Sequence, residues 1–177
     1  MRALADDGQC GLWVGTDGGL DHIDGANGRV PRVPMGPQAA NGLRGDNAIA
    51  PLRDSGGLLW VGTTAGLFVR NASSASFNLM DLPDVGGRQL QAESLLEDSA
   101  GRLWMGINRD GVFVRGAGGG SNGGAWRPIR ETQAGSDGPA QASRRVMALL
   151  EAQPGVVWAG TLGQGPLANC SSVPRAA

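Results

Sequence analysis

Four tryptophans, each inside the same short motif, constrain this chain more than any other feature. The segments are Gly11-Leu12-Trp13-Val14-Gly15-Thr16, Leu58-Leu59-Trp60-Val61-Gly62-Thr63, Arg102-Leu103-Trp104-Met105-Gly106-Ile107 and Val156-Val157-Trp158-Ala159-Gly160-Thr161. Successive tryptophans lie 47, 44 and 54 residues apart. Six residues before each stands Asp7, Asp54, Asp98 or Ala152, and three before stands Cys10, Gly57, Gly101 or Gly155. A little after each comes Gly19-Leu20, Gly66-Leu67, Gly111-Val112 or Gly165-Pro166. Self-similarity at a period of 40 to 50 residues is the mark of a repeat architecture.

Within one period the pattern is of short strands separated by turns. In the third repeat, Gln91 to Leu96 reads as a first strand and Asp98-Ser99-Ala100-Gly101 as a hairpin turn. Aspartate bonds its own downstream backbone, and glycine supplies a positive φ. Arg102 to Gly106 reads as a second strand with Leu103 and Met105 on one face and Trp104 on the other. Gly111 to Arg115 is a third strand and Ala125 to Ile129 a fourth, where Pro128 fits only an outer edge because it cannot donate to a ladder. No window carries a sustained 3.6-residue apolar period, which argues against helical solenoids. Four antiparallel strands per repeat with a Trp and Gly signature describe a propeller blade. The expected fold is all-β, a partial β-propeller of about 3.5 four-stranded blades. The boundaries are blade 1 at 1–47, blade 2 at 48–90, blade 3 at 91–143, a partial blade 4 at 144–168 and an unstructured tail at 169–177.

Trp13, Trp60, Trp104 and Trp158 are the expected structural anchors, each offering about 150–250 Å² for burial. They matter because Leu, Ile, Val and Phe make up only about a fifth of the chain, close to the level of disordered sequences. The glycine two residues after each tryptophan is expected to let a neighbouring blade's backbone approach.

Composition removes several functions. All 15 basic residues are arginine, scattered among 16 acids, with Arg144-Arg145 the only adjacent pair. Nothing forms a stripe for a phosphate backbone, so no nucleic-acid partner is expected. No apolar run approaches the length of a membrane helix, so direct membrane insertion is not expected, and residues 1–7 contain no export signal. A single histidine, His22, and two cysteines, Cys10 and Cys170, offer no metal motif and no disulfide framework. A Cys10–Cys170 bridge would tie the two ends of the array together. No catalytic constellation, cofactor or metal is expected: the serine, histidine and aspartate residues lack nucleophile-elbow spacing. The glycine-rich run from Gly116 to Gly124 reads as a linker rather than a phosphate loop, since it opens no helix and carries no lysine. His22 reads as an exposed strand residue without a partner group, and Asp7, Asp54 and Asp98 as turn formers rather than calcium ligands.

Asp98-Ser-Ala-Gly-Arg-Leu-Trp-Met-Gly106 and Leu59-Trp-Val-Gly-Thr-Thr-Ala-Gly-Leu67 resemble the two-component regulator propeller repeat. That resemblance covers most of the chain, from about Met1 to Leu167. It implies the extracytoplasmic sensor region of bacterial transmembrane regulators, such as hybrid histidine kinases and diguanylate cyclases. Family sensors resemble seven-bladed rings, so three blades and a partial fourth read as a piece of one. The Asp-x-x-Gly-x-x-Trp spacing also resembles the Asp-box of sialidase-type propellers, but the tyrosine nucleophile of a sialidase has no counterpart in a chain without tyrosine.

The expected function is therefore a non-catalytic ligand-sensing or interaction module for a small molecule or saccharide. The alternative is a free-standing scaffold that completes its ring by oligomerisation or with blades from a neighbouring chain or domain. Blade-connecting loops line one face of a propeller. Arg44, Asp46, Asn47, Arg144 and Arg145, each just before a first strand, are the candidate ligand-binding residues on that face. The resemblance implies a periplasmic location; expressed alone without a signal segment, the chain would stay in the cytoplasm.

Overall fold

The computed structural model describes residues 1–84, 86–87, 89–117, 124–129, 145–162 and the backbone of 166–171. Among the described residues, fifteen strands form four antiparallel sheets, one per tryptophan motif. Blade 1 comprises β1 (Ala3–Asp6), β2 (Leu12–Thr16), β3 (Gly19–Ile23) and β4 (Arg32–Val33). Blade 2 comprises β5 (Ala48–Arg53), β6 (Leu59–Thr63), β7 (Gly66–Arg70) and β8 (Asn78–Leu79). Blade 3 comprises β9 (Ala92–Glu97), β10 (Leu103–Ile107), β11 (Gly111–Arg115) and β12 (Arg127–Pro128). Blade 4 holds β13 (Val146–Gln153), β14 (Val156–Thr161) and β15 (Pro166–Ser171). In every sheet the strands lie side by side in chain order, and the first strands β1, β5, β9 and β13 neighbour one another along the inner side. Pro128 sits on the outermost strand of its sheet, where a missing N–H costs nothing.

Blade 4 differs from the expectation of a partial blade ending at 168 and an unstructured tail from 169. Its third strand pairs with β14 from Val156↔Ser171 to Gly160↔Pro166, so it runs past the boundary at 168 and into the residues assigned to the tail. The segment Pro166-Leu-Ala-Asn-Cys-Ser171 shows no alternation, but ladder hydrogen bonds come from the backbone and need none. Pro166 occupies the first position of the strand, where proline is tolerated.

The turn before each tryptophan is built as its residues require. Asp54 Oδ1 accepts the Leu58 N–H at 2.7 Å and Asp98 Oδ1 accepts the Arg102 N–H at 2.8 Å, closing the hairpin. The other oxygen accepts the indole N–H: Trp60 Nε1 lies 2.8 Å from Asp54 Oδ2, and Trp104 Nε1 lies 2.7 Å from Asp98 Oδ2. One side chain thus satisfies the turn backbone and the only polar atom of the buried anchor. The last turn residue needs a left-handed backbone, with φ of 82° at Gly57 and 73° at Gly101. Cys10 holds the same conformation at φ 83°, with a free, exposed thiol. The side chain of Cys170 lies outside the described residues.

Hydrogen bonding lowers the pKa of Asp98, Asp7 and Glu151 against the opposing effect of burial. Burial alone would raise the Asp98 pKa, but the bonds from Trp104 and Arg102 reverse this and hold it below 3.8. The His22 hydrogen bond does the same for Asp7, and the Gly155 N–H holds Glu151 below 4.5. A carboxylate with a depressed folded-state pKa stabilises fully above its unfolded value and loses that contribution as pH falls through the folded value. Urea midpoints are expected to decline from about pH 5 downward. Asp98→Asn is expected to flatten that decline, which a denaturation series between neutral and acid pH would measure.

The tryptophan face of each blade packs on the Leu-Val-Phe face of the next. Trp13 joins Leu59, Val61 and Phe68 of blade 2; Trp60 joins Leu103, Met105 and Phe113 of blade 3; Trp104 joins Val157 and Ala159 of blade 4. The division of Leu103 and Met105 from Trp104 is therefore as the alternation predicts. The glycine after the motif is what permits this spacing. A Cβ on Gly62 would meet the Ala92 carbonyl oxygen at 2.5 Å, and one on Gly106 would meet Val146 Cγ1 at 2.6 Å. At Gly160 the nearest atom would be Ala148 Cβ of the same blade, at 3.6 Å. Gly62→Ala is expected to cost about 1–3 kcal/mol through overpacking, while Gly160→Ala is tolerated. Equilibrium unfolding of the two variants checks the contrast.

The exposed side chains at the two ends differ in character. Blade 4 presents Leu150 and a Trp158 that is 40% exposed, against 0% for Trp104. On the opposite face of blade 1, the positions of Phe68 and Phe113 are taken by Asp21, which pairs with Arg32 Nε at 2.9 Å beside Leu4 and Leu12.

Candidate functional site

The first strands carry a β-bulge at one repeat position. Register shifts fall between Ala48 and Ala50, opposite Gly106/Ile107, and between Val146 and Ala148, so Ile49, Glu93 and Met147 are the extra residues. A bulge leaves one residue unpaired in the ladder and re-aims its side chain. Here all three line one axial cavity of about 260 Å³, to which blade 1 contributes Arg2. The rest of its wall comes from neighbours on the same strands, among them Leu4, Leu52, Ser94 and Leu149.

Two ion pairs stand at this cleft. Arg145, just before β13, makes a bidentate contact with Glu93 of the preceding blade, Nε and Nη2 each 2.9 Å from a carboxylate oxygen. The Glu93 side chain is fully buried and that of Arg145 one-third exposed. Ser94 Oγ donates to the Val146 carbonyl at 3.1 Å across the same junction. On blade 1, Arg2 Nε donates to Asp17 Oδ1 at 2.6 Å, an exposed pair. A buried charge at a position that holds Ile49 in one blade and Met147 in another is costly, and removing such a charge in favour of apolar packing is often neutral. Stability therefore does not account for Glu93. Glu93, Arg2 and apolar side chains line one concave space, a combination that suits a small polar ligand.

The sequence-predicted residues divide. Arg145 reaches the cleft wall through Glu93. Arg44 and Asp46 are exposed and Asn47 half-buried, and none of the three lines the cavity. The Asp46 N–H donates to Thr64 Oγ1 at 3.2 Å, which ties that loop to the β6–β7 turn rather than to the axis. Arg144 lies outside the described residues. Glu93 and Arg2 were not anticipated; aligning the first strands would have shown a carboxylate in the column of Ile49 and Met147. His22 also departs from expectation. It is partly buried, and its Nε2 lies 2.8 Å from Asp7 Oδ2, so the missing partner is the turn aspartate itself. Among the described residues no cluster of histidine, cysteine, aspartate and glutamate is arranged to hold a metal ion.

No protein-family model and no curated protein matches the sequence. Solved structures do. The extracellular domain of the hybrid two component system BT4673 from B. thetaiotaomicron superposes with a TM-score of 0.71 at 22% identity, over 89% of this chain and 19% of that one. The corresponding domain of BT3049 gives 0.64 at 20% identity, over 93% of this chain and 19% of that one. The GH74 xyloglucanase of Xanthomonas campestris gives 0.58 at 17% identity, over 97% and 29%. At these identities the shared property is the fold: this chain is part of a β-propeller, and it spans about a fifth of the extracellular domains it resembles.

Proposed function

We propose that the chain is a non-catalytic ligand-sensing module, a portion of the extracytoplasmic sensor of a bacterial two-component-type regulator, with the axial cleft as its ligand face. The observation that carries this reading is the buried Glu93–Arg145 pair at the bulge position, joining blades 3 and 4 at the cavity. The likeness to extracellular domains of two-component proteins supports the sensing role and a periplasmic location. A small molecule or saccharide that competes for either partner would loosen the junction between blades 3 and 4. Differential contact of this kind is what lets a ligand bias one packing over another. Catalysis, where a regulator performs it, would belong to an output domain. No described helix is long and apolar enough to cross a membrane.

The test is a thermal-shift and calorimetric screen of neutral and acidic mono- and disaccharides against the chain and against Met147→Trp, which narrows the cleft while keeping both members of the ion pair in the sequence. A ligand in excess raises stability by about 2.7 kcal/mol at one hundred times its Kd. The expected result is a shift that the Met147→Trp variant loses. A shift that this variant retains, or none across the screen, overturns the assignment.

A second reading, a scaffold that completes its ring with another copy or another propeller protein, is favoured by the exposed Trp158 and Leu150 on blade 4. It expects a stable oligomer in sedimentation equilibrium, and a monomer at every concentration sinks it.

A further inference from the structure

Blade 1 breaks the repeat at the turn that faces blade 2, and the departures converge on one crevice. In blades 2 and 3 the turn aspartate takes the indole N–H of its own tryptophan. In blade 1 it is His22 that meets Asp7 Oδ2. His22 stands opposite Trp13, where blades 2 and 3 place Val69 and Val114, and its ring stacks on that indole with centroids 4.2 Å apart.

The contact between neighbouring turns is altered as well. Between blades 2 and 3, Ser55 donates its N–H and its hydroxyl to Glu97, both at 2.6 Å. Between blades 3 and 4, Ser99 does the same to Glu151, at 2.6 and 2.9 Å. At the first junction the corresponding residues are Gly8 and Arg53. A Cβ on Gly8 would lie 2.7 Å from Arg53 Cζ, so the guanidinium rests against the bare turn. A serine–carboxylate clamp has been replaced by a cation over glycine.

The third element is Arg70, at the end of β7. Its guanidinium lies 4.8 Å from the Trp13 ring centroid and 5.1 Å from that of Phe77. Arg115 holds the equivalent place over Trp60, and its Nε donates to the Gly124 carbonyl at 3.0 Å. Arg70 Nε is buried and has no hydrogen-bond partner among the described residues. Burial pulls its pKa below the usual arginine value, as expected of a cation short of compensating charge.

These side chains surround a crevice of about 240 Å³ lined by Asp7, Trp13, His22, Arg53, Leu59 and Arg70. Two guanidiniums face it, and neither meets a carboxylate among the described residues. Asp7 is engaged by His22 and by the N–H groups of Gln9 and Gly11. A buried donor without an acceptor calls for one, and the planar arginine fork matches a carboxylate with two parallel bonds. Two cations set against the single charge of Asp7 leave room for one more negative charge, whereas a dianion would be opposed by Asp7. Leu59 and the Trp13 edge offer an apolar side, and the volume lies below the range of about 300–1,000 Å³ that holds drug-sized ligands.

We propose that the crevice between blades 1 and 2 is a binding site for a small organic monocarboxylate, its two oxygens held by Arg70 and Arg53 and its hydrocarbon part against Leu59. This site lies at the turn end of the blades and is separate from the axial cleft.

The test is a titration of the ¹⁵N-labelled chain with acetate and then butyrate, at constant ionic strength kept with sodium chloride. Arg70 Nε–H and Trp13 Nε1–H are expected to shift saturably, with butyrate tighter than acetate and phosphate at least tenfold weaker than either. Arg53→Gln, at an exposed position, is expected to weaken binding at least tenfold while the Trp60 and Trp104 indole signals stay in place. Arg70→Gln is expected to abolish it. Shifts that chloride reproduces, tighter binding of phosphate than of the carboxylates, or an Arg53→Gln titration matching the unaltered chain would each overturn the proposal. Should Arg70→Gln not fold, the Arg53→Gln result decides alone.

Discussion

Arg145→Ala is expected to destabilise the chain by about 3 kcal/mol, at the low end for a broken buried ion pair because Arg145 is itself one-third exposed. The cost arises mainly from what is left behind. The Glu93 side chain is buried, and both of its oxygens are held by Arg145. Removing the guanidinium strands a desolvated carboxylate between two blades. The repeat supplies its own control, because blade 2 carries Ile49 in the same bulge. The double variant Glu93→Ile/Arg145→Gln is expected to unfold within about 1 kcal/mol of the unaltered chain, since well-packed apolar replacements of buried ion pairs are often neutral. Urea denaturation of the two variants separates the worth of the pair from the penalty of breaking it. If Arg145→Ala proves silent, Glu93 is solvated in solution and the axial pair is not a buried one.

The second large effect concerns the anchors. Trp104→Ala is expected to cost about 3–5 kcal/mol, the range for deleting a large aromatic side chain from a core. Trp104 is fully buried, and its loss also takes a hydrogen bond from the buried Asp98. Trp158→Ala, at the same repeat position, is expected to cost under about 1.5 kcal/mol. Its indole is 40% exposed, and the turn position that would hold its acceptor is Ala152. Guanidinium chloride midpoints at matched pH compare the two. Equal losses would mean that blade 4's open face is covered in solution.

Much of the architecture was legible because the repeat writes the same physical requirement several times. Trp104 against Leu103 and Met105 identifies the two faces of a strand, and Gly106 marks where the next blade comes close. Asp98 and Gly101 locate a hairpin from turn chemistry alone. What escaped was whatever depends on backbone pairing or on contacts distant in sequence. The strand from Pro166 to Ser171 has no side-chain alternation and is held by the ladder to β14. Arg145 could be picked as a basic residue ahead of a strand, but its partner is 52 residues away in another blade. His22 found Asp7 across 15 residues because the register places it beside the tryptophan whose bond it takes. Arg44, Asp46 and Asn47 precede a strand, and that position does not make a residue face the axis.

The Asp21–Arg32 pair on blade 1 bears on how copies of this chain would meet. Blade stacking is directional: a tryptophan face accepts the opposite kind of face, so two copies joined end to end would set Trp158 of one against Asp21 of the other. That contact would strip water from an ion pair whose arginine is 63% exposed, where the internal junctions bury Phe68 and Phe113. A head-to-tail interface that does not close grows into a filament. The polar substitution makes such growth unfavourable at its first step.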